Sequence, residues 1–303
     1  MKISIVVTTY NGQRFISELL NSLYNQSRQA EEVLFYDDVS TDKTVEIIND
    51  FIEKNRLKNW KVVVNEKNLG WEKNFTKALN CASGDIIFPC DQDDTWHNDK
   101  LEKMSNEFLI NKKIQLLVSD YNAISLDGAN IEKMPVVETV DENNTSKVKL
   151  NKYYNVILRP GCAMAINKKI MPLFNELWEE GMPHDLVLWN IANLLDGLYI
   201  IREKLIDFRR HSSNASKKLN HNVKSKQSNI IMVLKINNWI LSSRFCSDYK
   251  KNIVNKVTEF YKLRYKLIIN KKILCWFMLS RYIRYYYRKR QYLGDLYYFF
   301  KSI

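Results

Sequence analysis

The segment Asp91-Gln92-Asp93-Asp94 sets three carboxylates directly after Ile86-Ile87-Phe88-Pro89-Cys90, a run with the composition of a buried strand. Carboxylates so placed repel one another and are costly to desolvate without a counter-charge. Hard divalent cations take oxygen ligands, and an Asp-x-Asp pair on a tight turn can aim carboxylates at one ion, which could also hold a diphosphate. The alternative is a solvated acidic turn leading into a helix that starts near Asn98. Two more polar clusters, Thr8-Thr9-Tyr10-Asn11 and Asp37-Asp38, also follow strand-like runs. Asp185 stands before an apolar helical stretch, a common place for a capping carboxylate. His211 follows Arg209-Arg210.

The elements that must position these groups alternate in period. Strand-like runs at 3–9, 32–36, 60–65 and 85–88 are separated by helical patterns at 13–26, 41–55 and 71–82, with Thr41 or Asp42 as the cap of the second helix. Short connections between alternating strands and helices give an α/β sheet with parallel pairing. Ligands of such sheets bind beyond the carboxyl ends of the strands, where the three polar clusters converge. Beyond residue 116 the alternation weakens. A buried strand is expected at 161–166, a helix from His184-Asp185 through 186–195, and a strand at 199–201. Asp120-Tyr121 follow a fifth strand. Residues 212–228 read as a linker, with helical patterns at 230–241, 253–269 and 273–300.

A 303-residue chain with 46% hydrophobic residues has ample core for one large or two smaller domains. Five cysteines without CxxC spacing suggest neither a disulfide framework nor a zinc site, and fit a reducing cytoplasm. The first apolar run is too short for a signal peptide. The longest late run, residues 273–279, falls well short of the ~20 residues that span a bilayer.

Five motifs in order carry a resemblance: Ile5-Val6-Val7-Thr8-Thr9-Tyr10-Asn11, Asp37-Asp38-Val39-Ser40-Thr41-Asp42-Lys43-Thr44, Asn68-Leu69-Gly70, Gly84-Asp85-Ile86-Ile87 and Asp91-Gln92-Asp93-Asp94-Thr95-Trp96. Residues 1–215 resemble the family 2 glycosyltransferases, closest in motif style to bacterial rhamnosyltransferases and related O-antigen and capsule enzymes. The resemblance implies a GT-A fold, an α/β architecture with a mixed, mostly parallel sheet flanked by helices. Residues 216–303 would form a basic, aromatic-rich helical extension. It also implies that Thr8 and Tyr10 line the nucleoside pocket, that Asp38 accepts the N3 proton of uracil or thymine, and that Asn68 lies near the nucleotide. Asp91 and Asp93 would hold Mn²⁺ or Mg²⁺, with Asp94 beside them and His211 completing the metal shell, while Arg209 or Arg210 meets phosphate. Asp185 would be the general base of an inverting transfer; as a cap it could serve both roles. The single-sugar donor implied is a dTDP- or UDP-sugar, dTDP-rhamnose first and UDP-galactose or UDP-glucose next. The acceptor implied is a polyprenyl-diphosphate-linked glycan at the inner face of the cell membrane. One slot departs from the family pattern: where many relatives carry an Arg after Asn-x-Gly, this chain has Phe75, with Lys73 nearby.

Charge is unevenly spread. Residues 217–303 hold 20 Lys/Arg against three acidic residues, a net +17, while residues 1–216 carry a net −5. Basic residues interleaved with aromatics, as in residues 281–290, suit a peripheral anionic-membrane surface, a helical packing or oligomerisation element, or a nucleic-acid face. The acidic head disfavours nucleic acid as a partner, and the membrane surface is the reading adopted. A nucleotide-cofactor oxidoreductase would need Gly-x-Gly-x-x-Gly after the first strand, where only Gly12 stands.

Overall fold

In the computed structural model, residues 1–126, 133–211 and 222–301 are described. They divide into two compact units, Met1–Lys149 with Ile157–Ser212, and Leu150–Val156 with Ser213–Ile303. The boundary expected at 215/216 lies outside the described residues.

The first unit is built on one mixed sheet. Strand β1 (Ile3–Thr9) pairs in parallel with β2 (Glu32–Asp37) on one side and β4 (Ile86–Asp91) on the other, and β2 pairs in parallel with β3 (Trp60–Val64). The remaining strands are β5 (Thr95–Trp96), β6 (Leu116–Ser125), β7 (Thr145–Lys147), β8 (Met164–Asn167) and β9 (Leu198–Arg210). The order is β3-β2-β1-β4-β8-β6-β9-β5, with β7 on β9. Strand β8 runs antiparallel to β4 and β6, whereas β6 and β9 are parallel. This is the mixed, mostly parallel sheet flanked by helices that the sequence implies. The order reverses between β1 and β4, so the switch point opens at their carboxyl ends, where ligands of such sheets bind.

Helices cover both faces. Strand β1 is buried at every position, as a central strand sandwiched between two layers must be. Its Ile3, Ile5 and Val7 join a core with Ile16, Leu19, Leu20 and Leu23 of α1 (Ile16–Tyr24), Ile48 of α2 (Thr44–Lys54), and Leu101, Met104 and Phe108 of α4 (Lys100–Ile110). Each such side chain contributes about 1.5–3 kcal/mol on burial. Helix α3 (Trp71–Cys81) packs on β1 and β2, and α5 (Met171–Leu177) and α6 (His184–Leu194) follow β8.

Local departures from the sequence expectations have physical causes. Helix α2 starts at Thr44; Asp42 Oδ1 accepts the Thr44 N–H at 3.0 Å from outside the helix, whereas the Thr41 N–H donates to Asn11 Oδ1 at 2.8 Å. Residues 161–163 form a 3-10 turn rather than strand. Asp120 and Tyr121 lie within β6, not after it, and Arg159 donates to Asp120 Oδ1 through Nε at 2.8 Å and Nη2 at 2.6 Å.

The second unit is helical: α7 (Val223–Ser242), α8 (Asp248–Ile268), α9 (Leu274–Leu279) and α10 (Arg290–Lys301). Of the expected linker, residues 212–221 lie outside the described residues, and residues 223–228 are helix. Asn222 caps them by accepting the Ser225 N–H at 2.8 Å. The pattern over 273–300 is not one helix; a 3-10 turn at Ser280–Tyr285 interrupts it as Tyr285 and Tyr286 turn onto Phe260. Asp295, fully buried, pins this unit. Arg264 donates to both its oxygens at 2.6 and 2.9 Å, the Tyr286 hydroxyl donates at 2.7 Å, and Lys226 lies 3.2 Å away. Among the described residues no helix is long and apolar enough to cross a membrane.

Candidate active site

Strand register assembles the site. Thr8 lies opposite Asp91 across the β1–β4 ladder, and Thr9 opposite Asp37 across β1–β2, so three polar strand ends meet at the switch point. Gln92, the one neutral member of the acidic segment, ties two of them together. Its Oε1 accepts the Tyr10 N–H at 2.8 Å and its Nε2 donates to the Tyr10 carbonyl at 3.0 Å. This amide clamp requires Gly12: a Cβ there would stand 2.3 Å from Gln92 Oε1. Tyr10 itself is exposed, its ring open to a ligand.

The carboxylates differ in surroundings. Burial, then the charge of Asp93, pushes the Asp91 carboxyl up to about 7, with Asp185 adding to the rise. Asp94 is fully buried and is pushed well above the usual range by burial and by its neighbours Asp93 and Asp91. Its Oδ1 accepts the Arg209 N–H at 3.0 Å, while Oδ2 has no hydrogen-bond partner. Asp93 turns the other way, with Oδ2 2.8 Å from His211 Nε2. His211 is buried and tilts against the Phe15 ring at 4.7 Å. Arg209 also faces inward, pairing with Glu18 and lying over the Phe15 ring.

Asp185 stands in the first turn of α6, a helix buried at every position from Leu186 to Leu194. The flanking residue of that helix is Pro183, so Asp185 is not its cap; its Oδ1 accepts the Leu186 N–H at 2.8 Å. Burial raises its carboxyl to about 6. Next to it, His184 is buried with neither ring nitrogen hydrogen-bonded, and burial lowers it to about 3. Phe75, in the slot where an Arg was the family expectation, stacks on His184 at 4.3 Å. Gly161 lets the turn before β8 press against this helix end, since a Cβ there would lie 2.7 Å from His184 Nε2.

Asp38 and Asn68 form a separate cluster at the end of β2. Asp38 accepts backbone N–H groups of Leu69 at 2.7 Å and Gly70 at 2.8 Å, together with the Asn65 amide at 2.9 Å. Asn68 Nδ2 donates to the Asp38 carbonyl at 3.0 Å. Asp38 therefore fastens the Asn68-Leu69-Gly70 turn, and a carboxylate retains further acceptor capacity beyond three bonds. Between these clusters Val39 adopts φ 66°, a left-handed conformation that costs a branched residue about 1–2 kcal/mol.

Among the described residues, the group whose ligand atoms all lie within 4.8 Å of one another is Asp91, Asp94 and Cys162. Cys162, Lys100, Phe15 and Glu18 also border the site without a sequence signal for it: Cys162 meets Asp91 and Asp94, Lys100 reaches the Cys162 carbonyl, and Phe15 and Glu18 meet Arg209, all far apart in the chain.

Residues 4–174 match the family model described as glycosyl transferase family 2. An uncharacterized glycosyltransferase of Nostoc sp. is 25% identical over 315 residues, covering 96% of this chain and 94% of the relative. The teichuronic acid biosynthesis glycosyltransferase TuaG of Bacillus subtilis is 30% identical over 131 residues, covering 43% of this chain; the match spans 51% of that relative's length. Among solved structures, S. aureus TarS 1-349 in complex with UDP-GlcNAc superposes with a TM-score of 0.67 at 20% identity, covering 100% of this chain and 82% of that one.

The amide clamp gives a double-mutant prediction. Gly12→Ala should destabilise the protein by about 0.5–1.5 kcal/mol, because Gln92 must swing aside and give up its bonds to Tyr10. Gln92→Ala loses the same bonds, so Gly12→Ala/Gln92→Ala should cost no more than the worse single variant, a coupling of at least about 0.5 kcal/mol in urea denaturation. Additive losses would refute the contact.

Proposed function

Because the chain belongs to glycosyl transferase family 2, we propose that it moves one sugar, with inversion, from a UDP- or dTDP-sugar to a lipid-linked glycan in bacterial surface-polysaccharide synthesis. The observation that carries this reading is the meeting of Thr8 and Asp91 at the switch point, with Asp93 against His211 and Asp185 near enough to raise the Asp91 carboxyl. TuaG is named for teichuronic acid biosynthesis, and TarS is named as a poly(ribitol-phosphate) β-N-acetylglucosaminyltransferase. Both names support a surface-polymer role, and the UDP-GlcNAc complex supports a UDP-hexose beside dTDP-rhamnose among the donors to test.

The donor types suit a divalent ion, while the ligand atoms that lie within 4.8 Å of one another are those of Asp91, Asp94 and Cys162 rather than those of Asp91, Asp93 and His211. Asp91 and Asp93 offer hard oxygen donors and His211 an imidazole, a set suited to Mn²⁺, and to Mg²⁺ through the carboxylates. Burial and the charges of Asp93 and Asp91 raise the neighbouring Asp94 carboxyl, so negative charge on this turn is disfavoured without a counter-charge. When bound, the ion would offset charge developing on the departing nucleoside diphosphate. Thr8 would line the nucleoside pocket, Tyr10 would offer its ring to the base, and Asp38, braced by Asn68, would receive the N3 proton. Asp185 would take the acceptor hydroxyl proton, held in place by a helix that the core fixes on every side. Asp93→Asn should abolish turnover and remove the thermal shift that Mn²⁺ produces with UDP or dTDP; an unchanged shift would remove the metal assignment.

The pH dependence follows from burial. Asp185 must be ionised to accept a proton, and its carboxyl is raised from 3.8 to about 6. Transfer should therefore rise through pH of about 6 and level off above it, measured as kcat/KM with saturating metal. A profile flat from pH 5 to 8, as an ordinary carboxyl near about 4 would give, would refute a base raised by burial, and an unchanged rate in Asp185→Asn would exclude Asp185 as the base.

For the helical unit we infer a peripheral seat on anionic lipid. Leu274, Phe277 and Met278 of α9 are exposed, as are Leu293, Tyr297 and Phe300, spaced four and three residues apart along one face of α10. Exposed Lys271, Lys272, Arg281, Lys289 and Arg290 stand close to them in sequence. A net +17 over residues 217–303 opposes docking of a second copy and favours an anionic partner. The protein should sediment with phosphatidylglycerol vesicles at low salt and not with phosphatidylcholine. Leu293→Asp/Phe300→Asp should weaken binding several-fold, and indifference to both vesicle types would refute this.

A further inference from the structure

Asp120 and Arg159 have no part in the transfer described above, yet they form an ion pair of one-sided geometry. Arg159 is buried, and its Nη1 donates to the Pro135 carbonyl at 2.9 Å and the Leu158 carbonyl at 2.6 Å. Its Nε and Nη2 both donate to the same atom, Asp120 Oδ1, at 2.8 and 2.6 Å. A pair that serves packing alone engages both carboxylate oxygens, fork to fork. Such a pair exists in this chain, where Arg264 donates to Oδ2 of Asp295 through Nε and to Oδ1 through Nη2. Among the described residues Asp120 Oδ2 accepts no hydrogen bond, and its side chain remains 16% exposed. A carboxylate oxygen so held keeps its full capacity for a hydroxyl donor.

The sheet register shows what would reach it. Ile87 of β4 and Leu116 of β6 both pair with Ile166 of β8. Asp91 stands four residues beyond Ile87 and Asp120 four beyond Leu116, so both arrive at one edge. Two strand spacings, about 10 Å, separate them. The bulges of the β6–β9 ladder put their extra residues in β9 and leave β6 regular. Ile86, Phe88, Cys90 and Leu117 turn to the core shared with α1, α2 and α4, so the alternate residues Asp91 and Asp120 turn to the other face. Asp185 borders the same place: a Cβ on Gly161, two residues from Arg159, would lie 3.5 Å from Asp185 Cβ. A diphosphate held at Asp91 carries its sugar outward, with the anomeric carbon turned toward Asp185, and one sugar ring spans the remaining gap to Asp120. We propose that Asp120 Oδ2 accepts a hydroxyl of the sugar carried by the nucleotide, and that Arg159 is the positioning residue that aims it. This deepens the donor reading above and rests on it.

The test compares, by calorimetry on the full chain with Mn²⁺ and no acceptor, the Kd of UDP or dTDP with that of the matching sugar nucleotide. UDP-N-acetylglucosamine, UDP-glucose, UDP-galactose and dTDP-rhamnose are the probes. The sugar should tighten binding to the wild type. Asp120→Asn should erase about tenfold or more of that gain, as loss of a hydrogen bond to a charged group does, and leave the Kd of the bare diphosphate unchanged. Asp120→Asn/Arg159→Gln removes both charges and should show the same selective loss, which separates it from the effect of an unpaired guanidinium. A loss shared equally by both ligands, or no loss, would overturn the proposal, since a merely structural pair predicts one or the other. Slower turnover at an unchanged ratio would also overturn it, by putting the hydroxyl on the acceptor. Should neither variant fold by circular dichroism, a crystal of the wild type with Mn²⁺ and the tightest-binding sugar nucleotide decides. A sugar with no hydroxyl within about 3 Å of Asp120 would then refute the assignment. If no UDP or dTDP compound binds, the donor reading itself fails and takes this proposal with it; intact diphosphate binding tells the two failures apart.

Discussion

Negative charge at the end of a buried strand is the constraint around which the first unit is arranged. Strand β4 is buried from Ile86 to Cys90, so the chain delivers a partly exposed Asp91 to the switch point at the end of an apolar run. Asp94 is sealed completely. Burial lifts both carboxyls above their ordinary range, which measures how strongly this place favours a proton or a cation. Two side chains approach the turn: His211 comes from the end of β9 to meet Asp93, and the buried Lys100 donates to the carbonyl of Cys162. What remains is a site with acceptor capacity to spare, facing the edge where parallel strands admit ligands.

Much of the neighbouring structure serves to hold that turn in register. Gln92 reaches across to the Tyr10 backbone, and the absence of a side chain at Gly12 makes room for it. The turn at Gly161 carries Cys162 to the carboxylates and at the same time abuts the start of α6, which bears Asp185. Phe75 on His184 fastens α3 to that same helix end. The acidic turn and the proposed base are thus held by packed side chains instead of mobile loops, as a reaction centre needing fixed distances requires.

The architecture was legible because its signals are local. Alternating periods marked β1 through β4 and the helices between them, and polar residues at strand ends marked Thr8, Asp38 and Asp91. The pairing of His211 with Asp93 spans 118 residues, yet the family pattern anticipated their association. Lys100 was not legible: in sequence it is an ordinary charged residue at the start of an amphipathic helix, and only the packing of Trp96 and Cys162 around it buries the ammonium. The Arg159–Asp120 pair was hidden for the same reason. Helix limits in the second unit depart from the hydrophobic period where side chains override it, as with the cap at Asn222 and the inward turn of Tyr286.

Val39, at φ 66°, holds a branched side chain in a backbone shape that it adopts only under constraint. The bonds of Asp37 to Thr9 and Ser40, and of Asp38 to Leu69 and Gly70, supply that constraint from both sides. A loop held so firmly has surrendered its backbone freedom during folding, at roughly 1–2 kcal/mol per residue. A nucleoside bound as proposed, against Asp38, would meet a preorganised wall and forfeit little entropy in shaping it, so that more of its contact energy survives as affinity.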